Sequence, residues 1–557
     1  MSVRNGTVLL VALSTLLFLA ACGNNGTSIA TPVAPPSGSF SNSNLNGTYV
    51  FSISGFDSTN GVPYTMLGTF TANGSGGNGK GSITGGTLDI NDPDTSVFTA
   101  PVAGVQITGS STYSVSIDGR GQAVMVTNIT SGTPGVTFPS LTFDFVLQDS
   151  SHGLITEFDT FGSGSGTLDL QAANTTPSGA YAFSLSGASG NSSWGAAGNF
   201  GVSGGTISNG LEDINQGGLV IGSAEALTGS LSLGPSATPA TTLISTTFPG
   251  GMLFDVAAID ATHLKLIEMD TTATLSGDAY TSTALPTGTM AFTLAGLSGA
   301  GSSGVPLAAG GFMTNSASGA VTGTEDYNDE GTLSSAAAPA SFSGAFTAGG
   351  TGRYTLGGFA PGTFVGGSTY AAYPSSGGLL LLELDNLGVA TGAAYPQTAG
   401  ATMAVSQGYG MNLAGTFLGS STSSAAEVDD IAEFTTATGG TITGIIDENF
   451  APSGGTTLGI PLTSGSYGAI DSNGRYGVAA TAVTSNGNTG TLLGGFTLTA
   501  YAVDGTTFPF IEVDAGQVAT GVFVLQNPSA SGAALAHPHM FVVRPLIHPH
   551  MAAKKKN

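Results

Sequence analysis

Large apolar residues alternate with small or polar residues in a short stretch that occurs four times along the chain. The first copy reads YVFSI at residues 49–53, and the other copies begin at residues 181, 290 and 409. A period of two residues puts the large side chains on one face of the backbone, which is typical of a half-buried β-strand. The pattern therefore predicts one opening strand in each of four repeated units.

Two further segments follow each opening strand in the same order. The first ends in Asp and Asn residues, as in GSITGGTLDIND at 81–92, and the second contains a Glu-x-Asp triplet near the end of the unit. The opening strands are spaced by about 110 to 130 residues, which is the length of an independent domain and far exceeds a solenoid coil or a propeller blade. The repeats predict four domains, at residues 45–172, 173–283, 284–398 and 399–527.

Unit 1 contains about eight strand-like runs separated by turns rich in Gly, Asn, Asp or Pro. These runs are residues 47–54, 64–72, 82–90, 111–118, 122–128, 141–148, 153–159 and 166–171. Short connections between sequential strands favour antiparallel neighbours, and closing eight strands into a barrel removes exposed edges. We therefore expect an all-β protein of four tandem antiparallel β-domains, each an up-and-down barrel of about eight strands. A two-sheet sandwich in each unit is the alternative.

Composition agrees with strands and excludes several classes of protein. The chain has 34 acidic and 10 basic residues, a formal net charge of −24. This charge argues against nucleic acid as a partner, because phosphate needs Lys or Arg to neutralise it. Only 8% of the residues are charged and 40% are hydrophobic, which argues against intrinsic disorder. Cys22 is the single cysteine, so no disulfide can form within the chain.

The N-terminus has the features of an export signal. Arg4 is followed by a short, mostly apolar run at residues 8–19, and a helix of that length at about 1.5 Å per residue does not cross a bilayer core of about 30 Å. The run ends in Leu19-Ala20-Ala21-Cys22, which resembles the lipobox of bacterial lipoproteins. The resemblance implies cleavage between Ala21 and Cys22 and lipidation of Cys22. The protein is then exported, and its partner is a membrane, which it binds through the N-terminal lipid.

The segments outside the repeats complete the predicted organisation. Residues 1–21 form the signal peptide, and residues 22–44 carry Pro, Ser, Asn and Gly without periodicity, which predicts a flexible tether. Gly23 replaces the aspartate that lipoproteins use for inner-membrane retention, so the resemblance favours the outer membrane or the cell surface. Residues 528–557 form an irregular His/Pro/Lys tail, whose clustered histidines are His537, His539, His548 and His550. We expect this tail to be disordered, with only adventitious metal affinity.

The Glu-x-Asp triplet is the most regular candidate site. Its carboxylates are Glu157, Asp159, Glu268, Asp270, Glu383, Asp385, Glu512 and Asp514. Residues two apart on a strand share a face, and charged residues are rarely buried unpaired, so we expect both carboxylates on the solvent face. A ligand-binding patch that recurs once per domain is the functional alternative. A carboxylate pair such as Glu157 and Asp159 is also what a glycosidase uses.

A second candidate site lies at the end of the Asp- and Asn-rich segment of unit 1. Asp89, Asn91, Asp92 and Asp94 offer the oxygen ligands that Ca²⁺ prefers, although the spacing is not that of an EF-hand. The alternative is a strand end that runs into an Asx-rich turn. Calcium is the one cofactor that the sequence suggests.

Two histidines lie near the triplets. His152 and His263 each precede a Glu-x-Asp triplet by five residues, whereas the equivalent residues of units 3 and 4 are Gly378 and Thr507. A position that accepts His, Gly or Thr is typical of a turn, and no nucleophile–base pair accompanies these histidines. We therefore expect both on the surface.

The sequence favours a non-enzymatic, membrane-anchored cell-surface lipoprotein with a structural, adhesive or ligand-binding role. The repeats resemble the Gly/Ser/Thr-rich repeats of bacterial surface lipoproteins, without a shared motif. The chain has no P-loop, dinucleotide-binding fingerprint, HExxH motif or paired CxxC. An extracellular carbohydrate-active enzyme is one alternative, and a barrel with an internal small-ligand cavity is another. The partner outside the cell is an unknown ligand or a glycan, which the sequence does not identify.

Overall fold

The structure is a computed structural model that describes residues 31–530 with internal gaps. The gaps are residues 76–78, 130–139, 173–175, 191, 233–239, 246–251, 300–303, 335–338, 361–363, 365–366, 420–424, 452–454 and 483–494. Across the described residues the chain forms 34 β-strands and one short 3₁₀ helix, η1 (Asn42–Asn44). No helix in this part of the chain is long and apolar enough to cross a membrane. The all-β prediction is confirmed.

The strands fall into four groups that follow the repeats. Unit 1 contains β1 (Asn46–Asp57), β2 (Pro63–Asn73), β3 (Gly81–Asn91), β4 (Val102–Ile107), β5 (Thr112–Val115), β6 (Arg120–Val126), β7 (Ser140–Leu147), β8 (His152–Glu157) and β9 (Gly162–Leu170). Unit 2 contains β10 (Gly179–Ser189), β11 (Ser192–Ser203), β12 (Thr206–Gln216), β13 (Leu219–Ser232), β14 (Ala240–Ser245), β15 (Met252–Ala258), β16 (His263–Glu268) and β17 (Thr274–Thr281).

The second half of the chain repeats this order. Unit 3 contains β18 (Gly288–Ser298), β19 (Val305–Asn315), β20 (Ala320–Asp329), β21 (Thr332–Leu333), β22 (Ala340–Gly350), β23 (Arg353–Ala360), β24 (Thr369–Ser375), β25 (Gly378–Glu383) and β26 (Gly388–Pro396). Unit 4 contains β27 (Gly408–Phe417), β28 (Ala426–Ala437), β29 (Thr441–Ala451), β30 (Gly455–Tyr467), β31 (Arg475–Ala482), β32 (Phe496–Tyr501), β33 (Thr507–Glu512) and β34 (Gln517–Leu525).

Antiparallel pairing closes the strands of each unit into an eight-stranded ring. In units 2 and 4, β10–β17 and β27–β34 form closed barrels in chain order. In units 1 and 3 the sheets have nine strands, and the additional pairing of β2 with β3 and of β19 with β20 closes a ring of eight. The short strands β4 and β21 pair at the edge of β3 and β20. The up-and-down barrel is therefore the fold, and the sandwich alternative is wrong.

The alternation in the sequence decides which side chains fill the barrels. In β1, Tyr49, Phe51 and Ile53 point into barrel 1, where they are fully buried with Phe70 and Phe143 from other strands. The other three barrels have interior clusters of the same kind. Burial of one large apolar side chain contributes about 1.5–3 kcal/mol, so these clusters are the main source of stability for each unit.

One glycine in the last strand of each barrel allows that strand to approach the first strand closely. These glycines are Gly166, Gly277, Gly392 and Gly521. A Cβ atom at any of these four positions would overlap a backbone carbonyl oxygen of the first strand. Each glycine also pairs with the first strand in register, so the repeated glycine marks where the barrel closes.

The four barrels pack side by side and form a closed ring. The first two strands of each barrel lie against the last three strands of the next barrel, as β10 and β11 do against β24, β25 and β26. Barrel 4 makes the same contact with barrel 1, through β27 and β28 against β7, β8 and β9. Between barrels 1 and 2 the packing includes Val50 and Leu67 against Ile267 and Met269. A head-to-tail interface that repeats by rotation closes into a ring, as it does here within one chain.

The ring has two distinct faces. The first strands β1, β10, β18 and β27 all begin at one of them, which we call the N-terminal face, and end at the other, which we call the distal face. At three joints on the N-terminal face, a glutamine that follows the last strand donates its side-chain amide to a backbone carbonyl of the next barrel. The pairs are Gln171 with Ala258, Gln397 with Ala502 and Gln526 with Leu147.

The segment before β1 packs onto the N-terminal face. Phe40 is buried within the apolar cluster of barrel 1. Ser37 Oγ donates a hydrogen bond to the carbonyl of Gln526, which follows the last strand of barrel 4. Residues 35–44 therefore bind barrels 1 and 4, which differs from the flexible tether predicted for this part of the chain.

Candidate functional site

The Asp- and Asn-rich segments and the Glu-x-Asp triplets meet at the joints between barrels. At the distal end of β3, Asn91 Nδ2 donates to the backbone carbonyls of Glu268 and Ala273 in barrel 2, at 2.8 and 2.9 Å. The asparagine side chain thus satisfies two backbone acceptors of the next barrel, one at the start of the triplet and one at the end of the turn that follows it. We call this contact an asparagine joint.

All four barrels make an asparagine joint with the next one. Asn215 Nδ2 donates to the carbonyls of Glu383 and Gly388, both at 2.9 Å. The corresponding bonds of Asn328 reach Asp514 and Gln517 at 2.8 and 2.7 Å, and those of Asn449 reach Glu157 and Gly162 at 2.7 and 2.8 Å. The fourth joint returns from barrel 4 to barrel 1, so the same contact closes the ring.

The glutamates of the four triplets are buried, whereas the aspartates Asp159, Asp270, Asp385 and Asp514 are half-buried. Burial, together with the neighbouring aspartate, raises the pKa of Glu268 to about 10 and that of Glu383 to about 9. The pKa values of Glu157 and Glu512 are also raised well above the usual range, first by burial and then by the adjacent aspartate. The expectation that both carboxylates lie on the solvent face is wrong for the glutamates, because the triplet lies at a joint between two barrels.

Arginine side chains strengthen two of the joints. Arg353 Nε and Nη2 donate to the carboxylate of Asp213 at 2.7 and 2.8 Å, and the Tyr373 hydroxyl donates to the same carboxylate at 2.5 Å. Arg475 binds Asp326 in the same bidentate way. Each aspartate lies two residues before a joint asparagine and belongs to the preceding barrel, so a charged pair crosses each interface.

The closing joint also has an arginine, whereas the sequence of unit 2, residues 173–283, contains none for the joint between barrels 1 and 2. Arg120 Nη1 lies 2.8 Å from Asp447 Oδ2 across the closing joint. The arginines of the other joints are the first residues of β6, β23 and β31, whereas the corresponding strand of barrel 2, β14, begins at Ala240. There the carboxyl groups of Asp89 and Asp255 are neighbours, and burial, together with Asp89, raises the pKa of Asp255 to about 8. The joint between barrels 1 and 2 is therefore chemically unlike the other three.

A buried polar network crosses this same interface. Lys265 Nζ of barrel 2 lies 3.3 Å from Asp169 of barrel 1 and 3.2 Å from Asp278 of its own barrel. His152 Nδ1 lies 2.9 Å from Asp169, and His263 Nε2 lies 2.6 Å from Asp278. His263 is fully buried and His152 is mostly buried, so the prediction that both are surface residues is wrong. Both histidines sit next to turns, but each imidazole ring binds a carboxylate of the network at the interface between barrels 1 and 2.

The polar network borders a small cavity in the interior of the ring. The cavity has a volume of about 60 Å³, which is room for roughly four waters. Serines and threonines from three barrels line it, and they include Ser52, Ser184 and Thr391. Small hydroxyl side chains therefore occupy the outward faces of first and last strands where the barrels meet.

A larger groove opens between barrels 1 and 2 on the distal face, with a volume of about 390 Å³. One wall is the loop at residues 92–101 between β3 and β4. The other wall consists of residues 188–190 and the turn at 270–274 in barrel 2. The equivalent connections of the other units are short, at residues 217–218, 330–331 and 452–454, so the long loop is particular to unit 1.

The loop is anchored at several points. Val97 and Phe98 are buried in the cluster of barrel 1. Asp94 Oδ2 accepts a hydrogen bond from Asn60 Nδ2 at 2.7 Å, and Asp94 Oδ1 accepts one from the Ser96 amide at 2.8 Å. These contacts hold the loop in one place, so the groove is preformed.

Asp92 is the most unusual side chain of the groove. It is only 1% exposed, and its Oδ1 accepts a hydrogen bond from the Asp94 amide at 2.8 Å. Its Oδ2 has no hydrogen-bond partner in the described structure. Burial, followed by the nearby carboxylates of Asp57 and Asp94, raises the pKa of Asp92 to about 7.

The four residues that suggested calcium do not converge on one point. Asp89 accepts from the Gly104 amide, Asn91 enters the joint with barrel 2, and Asp94 binds its own loop. Across the described residues, no group of three or more His, Cys, Asp or Glu side chains has the arrangement of a metal site. These residues shape the loop and the joint instead, as an Asx-rich turn does.

The structure also bears on the two alternative functions. The gap inside barrel 2 measures about 20 Å³, room for one water, and it lies beside Glu212 and Trp194. Aromatic and aliphatic clusters fill the barrel interiors, so the hypothesis of an internal ligand cavity is wrong for the described structure. Glu157, the carboxylate suggested for glycoside hydrolysis, is fully buried and hydrogen-bonded to the Tyr64 hydroxyl.

Two predicted features lie outside the described residues. They are the lipobox with Ala21 and Cys22, and the tail histidines. Sequence reasoning missed the asparagine joint. Its signal was present, since Asp-x-Asn occurs in every unit, at 89–91, 213–215, 326–328 and 447–449.

Comparisons with known proteins find only distant similarity. No protein-family model matches the chain, and no curated protein matches it. Transferrin binding protein B from serogroup B Neisseria meningitidis is 10% identical with a TM-score of 0.18, covering 68% of this chain and 84% of that one. A transferrin binding protein B double mutant from Haemophilus parasuis Hp5 is 7% identical with a TM-score of 0.17, covering 90% and 98%. A putative AttH from Nitrosomonas europaea is 9% identical with a TM-score of 0.16, covering 42% and 92%. At these TM-scores the likeness carries no argument about this chain.

Proposed function

We propose that this protein is a lipid-anchored surface protein that captures a small ligand in the groove between barrels 1 and 2. The groove carries the proposal. Its volume of about 390 Å³ lies within the range of about 300–1,000 Å³ that is usual for small-molecule sites. One wall of the groove is a loop that only unit 1 has at this length. Packing requirements common to all four barrels do not account for a loop that the other three lack.

The position of the groove suits a protein anchored at its N-terminus. Residues 35–44 pack on the N-terminal face, whereas the groove opens on the distal face. β1 has twelve residues, which at about 3.3 Å per residue and a barrel-strand tilt of about 35–45° separates the two faces by roughly 30 Å. A lipid on Cys22 would therefore hold the ring with its groove directed away from the membrane.

We further propose that the groove binds without catalysis. The ionisable side chains that line it are the carboxyl groups of Asp92 and Asp270, and no Cys, His or Lys is among its described lining residues. A nucleophilic mechanism requires an activated Ser, Thr, Cys or Lys beside a base. The groove supplies shape and hydrogen-bond acceptors, which are the requirements of recognition.

Acyl labelling tests the anchor. Cells that express the full chain or the Cys22→Ser variant are grown with radiolabelled palmitate and fractionated. The full chain is expected to carry label and to sediment with membranes, and the variant is expected to lose both properties. A variant that still takes up label and sediments with membranes would show that the anchor is elsewhere.

A ligand screen tests capture. The soluble Cys22→Ser protein is screened by thermal shift against small molecules and glycans, in parallel with an additional Ala100→Trp substitution. Ala100 is exposed and lines the groove, so the indole fills the groove without entering the core. Ligands of the groove stabilise the first protein and not the second. If every hit stabilises both proteins equally, the groove is not the site.

A further inference from the structure

The lining of the groove also indicates the class of its ligand. We propose that the groove binds a small organic cation, an amine or quaternary ammonium group on an apolar body. This inference rests on the proposed function, in which the groove is the ligand site. It follows from the charge, the buried unsatisfied acceptor and the apolar walls of the groove.

The first argument is charge. The two ionisable residues that line the groove, Asp92 and Asp270, are both acidic, and the described lining contains no basic side chain. The remaining polar side chains of the lining are uncharged, and most of them are threonines. The whole chain carries a net charge of −24, which attracts cations and repels anions over longer distances.

The second argument is the carboxyl group of Asp92. Its Oδ2 atom is buried without a hydrogen-bond partner, and the nearby charged groups that act on it are the carboxylates of Asp57 and Asp94. A buried charge is costly unless it is paired and hydrogen-bonded. An ammonium group in the groove would provide both the positive charge and the donor that this oxygen lacks.

The third argument comes from the other joints. The residues equivalent to Asp92 are Gln216, Asp329 and Phe450. Of these, Asp329 is the only acidic one, and its Oδ1 accepts a hydrogen bond from the Ser298 hydroxyl at 2.5 Å. An unsatisfied carboxylate at this position therefore occurs where the groove occurs, and not where the joint is merely structural.

The fourth argument concerns the walls. Pro93, Phe98 and Pro101 line the loop side of the groove, and Ala188 and Ala273 line the opposite side. Such a surface gains free energy when it is covered, at about 25 cal/mol per Å² of apolar area. An apolar body next to the cationic group would cover these walls, whereas a bare metal ion would leave them wet.

Calorimetric titration with matched probes tests the proposal. The soluble Cys22→Ser protein is titrated with 2-phenylethylamine, 2-phenylethanol and phenylacetate, which share an aromatic body and differ in charge. Calcium chloride is titrated as an inorganic cation. We expect the amine to bind at least tenfold more tightly than the alcohol, and we expect no heat from phenylacetate or calcium.

Two variants connect the effect to Asp92. Asp92→Asn keeps an oxygen for the Asp94 amide and removes the charge, so it should reduce amine affinity at least tenfold and leave the alcohol unchanged. Asp329→Asn is the matched control at another joint and should change neither. Hydrogen exchange of the loop at 92–101 shows whether Asp92→Asn retains its fold.

The outcomes separate the two proposals. Equal binding of all three organic probes, or an amine affinity that Asp92→Asn does not alter in a folded protein, overturns the cation proposal and leaves ligand capture standing. Binding of calcium without the amine also overturns it. If none of these probes binds at millimolar concentration while the screen finds an unrelated ligand, the cation proposal alone falls. If the screen is empty as well, both proposals fall.

Discussion

The asparagine joint between barrels 2 and 3 gives the sharpest test of the ring. Asn215→Ala removes the amide that donates to the carbonyls of Glu383 and Gly388, both at 2.9 Å. A buried hydrogen bond contributes about 1 kcal/mol net, and a buried carbonyl that loses its donor costs about 1–3 kcal/mol. Because two carbonyls lose their donor together, we expect the interface to lose about 2–6 kcal/mol.

The loss should appear at the joint before it appears in the barrels. Each barrel is closed and has its own interior cluster, so it retains its stability when one interface weakens. Hydrogen exchange of residues 383–388 is therefore the direct assay, with calorimetry as the global one. Two-state analysis does not apply to a chain of four domains. We expect exchange in this turn to be faster by about one to four orders of magnitude, since about 1.4 kcal/mol corresponds to tenfold.

Asn386→Ala is the matched control, because Asn386 is an exposed asparagine in the same turn. An exposed substitution of this kind changes stability by less than about 0.5 kcal/mol. If Asn215→Ala and Asn386→Ala accelerate exchange equally, the joint asparagine does not hold the interface. If Asn215→Ala destabilises barrel 2 as a whole without opening the turn, its role lies inside one barrel and the reasoning is refuted.

Three further predictions follow from the joints. Burial and the adjacent aspartate raise the pKa of Glu383 to about 9, so its contribution to stability is complete below about pH 4.5 and is lost as pH rises towards 9. The melting temperature should therefore fall between pH 5 and pH 9, and Glu383→Gln should make that fall shallower, whereas an unchanged slope would contradict the protonated state. Arg353→Met leaves Asp213 buried and uncompensated and should cost about 3–5 kcal/mol in calorimetry. Adding Asp213→Asn should restore part of that loss, and a double variant no more stable than Arg353→Met would contradict the pairing. Gly521→Ala should destabilise barrel 4 by at least about 1–3 kcal/mol through overlap with the first strand. Gly477→Ala is the control and should not destabilise the barrel, because Gly477 has open space around it. Equal melting temperatures for the two variants would refute the close approach at Gly521.

The fold of each barrel could be predicted from the sequence to a large extent. The eight runs proposed for unit 1 correspond to β1, β2, β3, β5, β6, β7, β8 and β9. Alternation identifies these strands because each has one face in a barrel interior. The strand that was missed, β4 (Val102–Ile107), pairs at the edge of β3 and has several exposed residues. A strand with little buried surface leaves little hydrophobic pattern to read.

The candidate site could not be predicted to the same extent, because it depends on contacts between units. The rule that charged residues face solvent treats a domain in isolation, and Glu268 and Glu383 lie instead beneath a neighbouring barrel. His263 was placed on the surface for the same reason. Such contacts carry no periodic signal within one unit. The information was a coincidence between two motifs, since every repeat contains both Asp-x-Asn and Glu-x-Asp.

The number of repeats follows from the geometry of the joint. Every interface uses the first two strands of one barrel and the last three strands of the next, so each joint rotates the chain by a similar angle. A head-to-tail interface closes only when these rotations add up to a full turn. A chain of three units would leave two outer faces uncovered, namely that of the first two strands of unit 3 and that of the last three strands of unit 1. These two faces are apolar and complementary, so copies of such a chain would join into open polymers. The fourth unit covers both faces, and Arg120 and Asp447 form a charged pair across the closing joint. In the closed ring the groove lies on the face opposite residues 35–44, so the proposed anchor at the N-terminus would direct the groove away from the membrane.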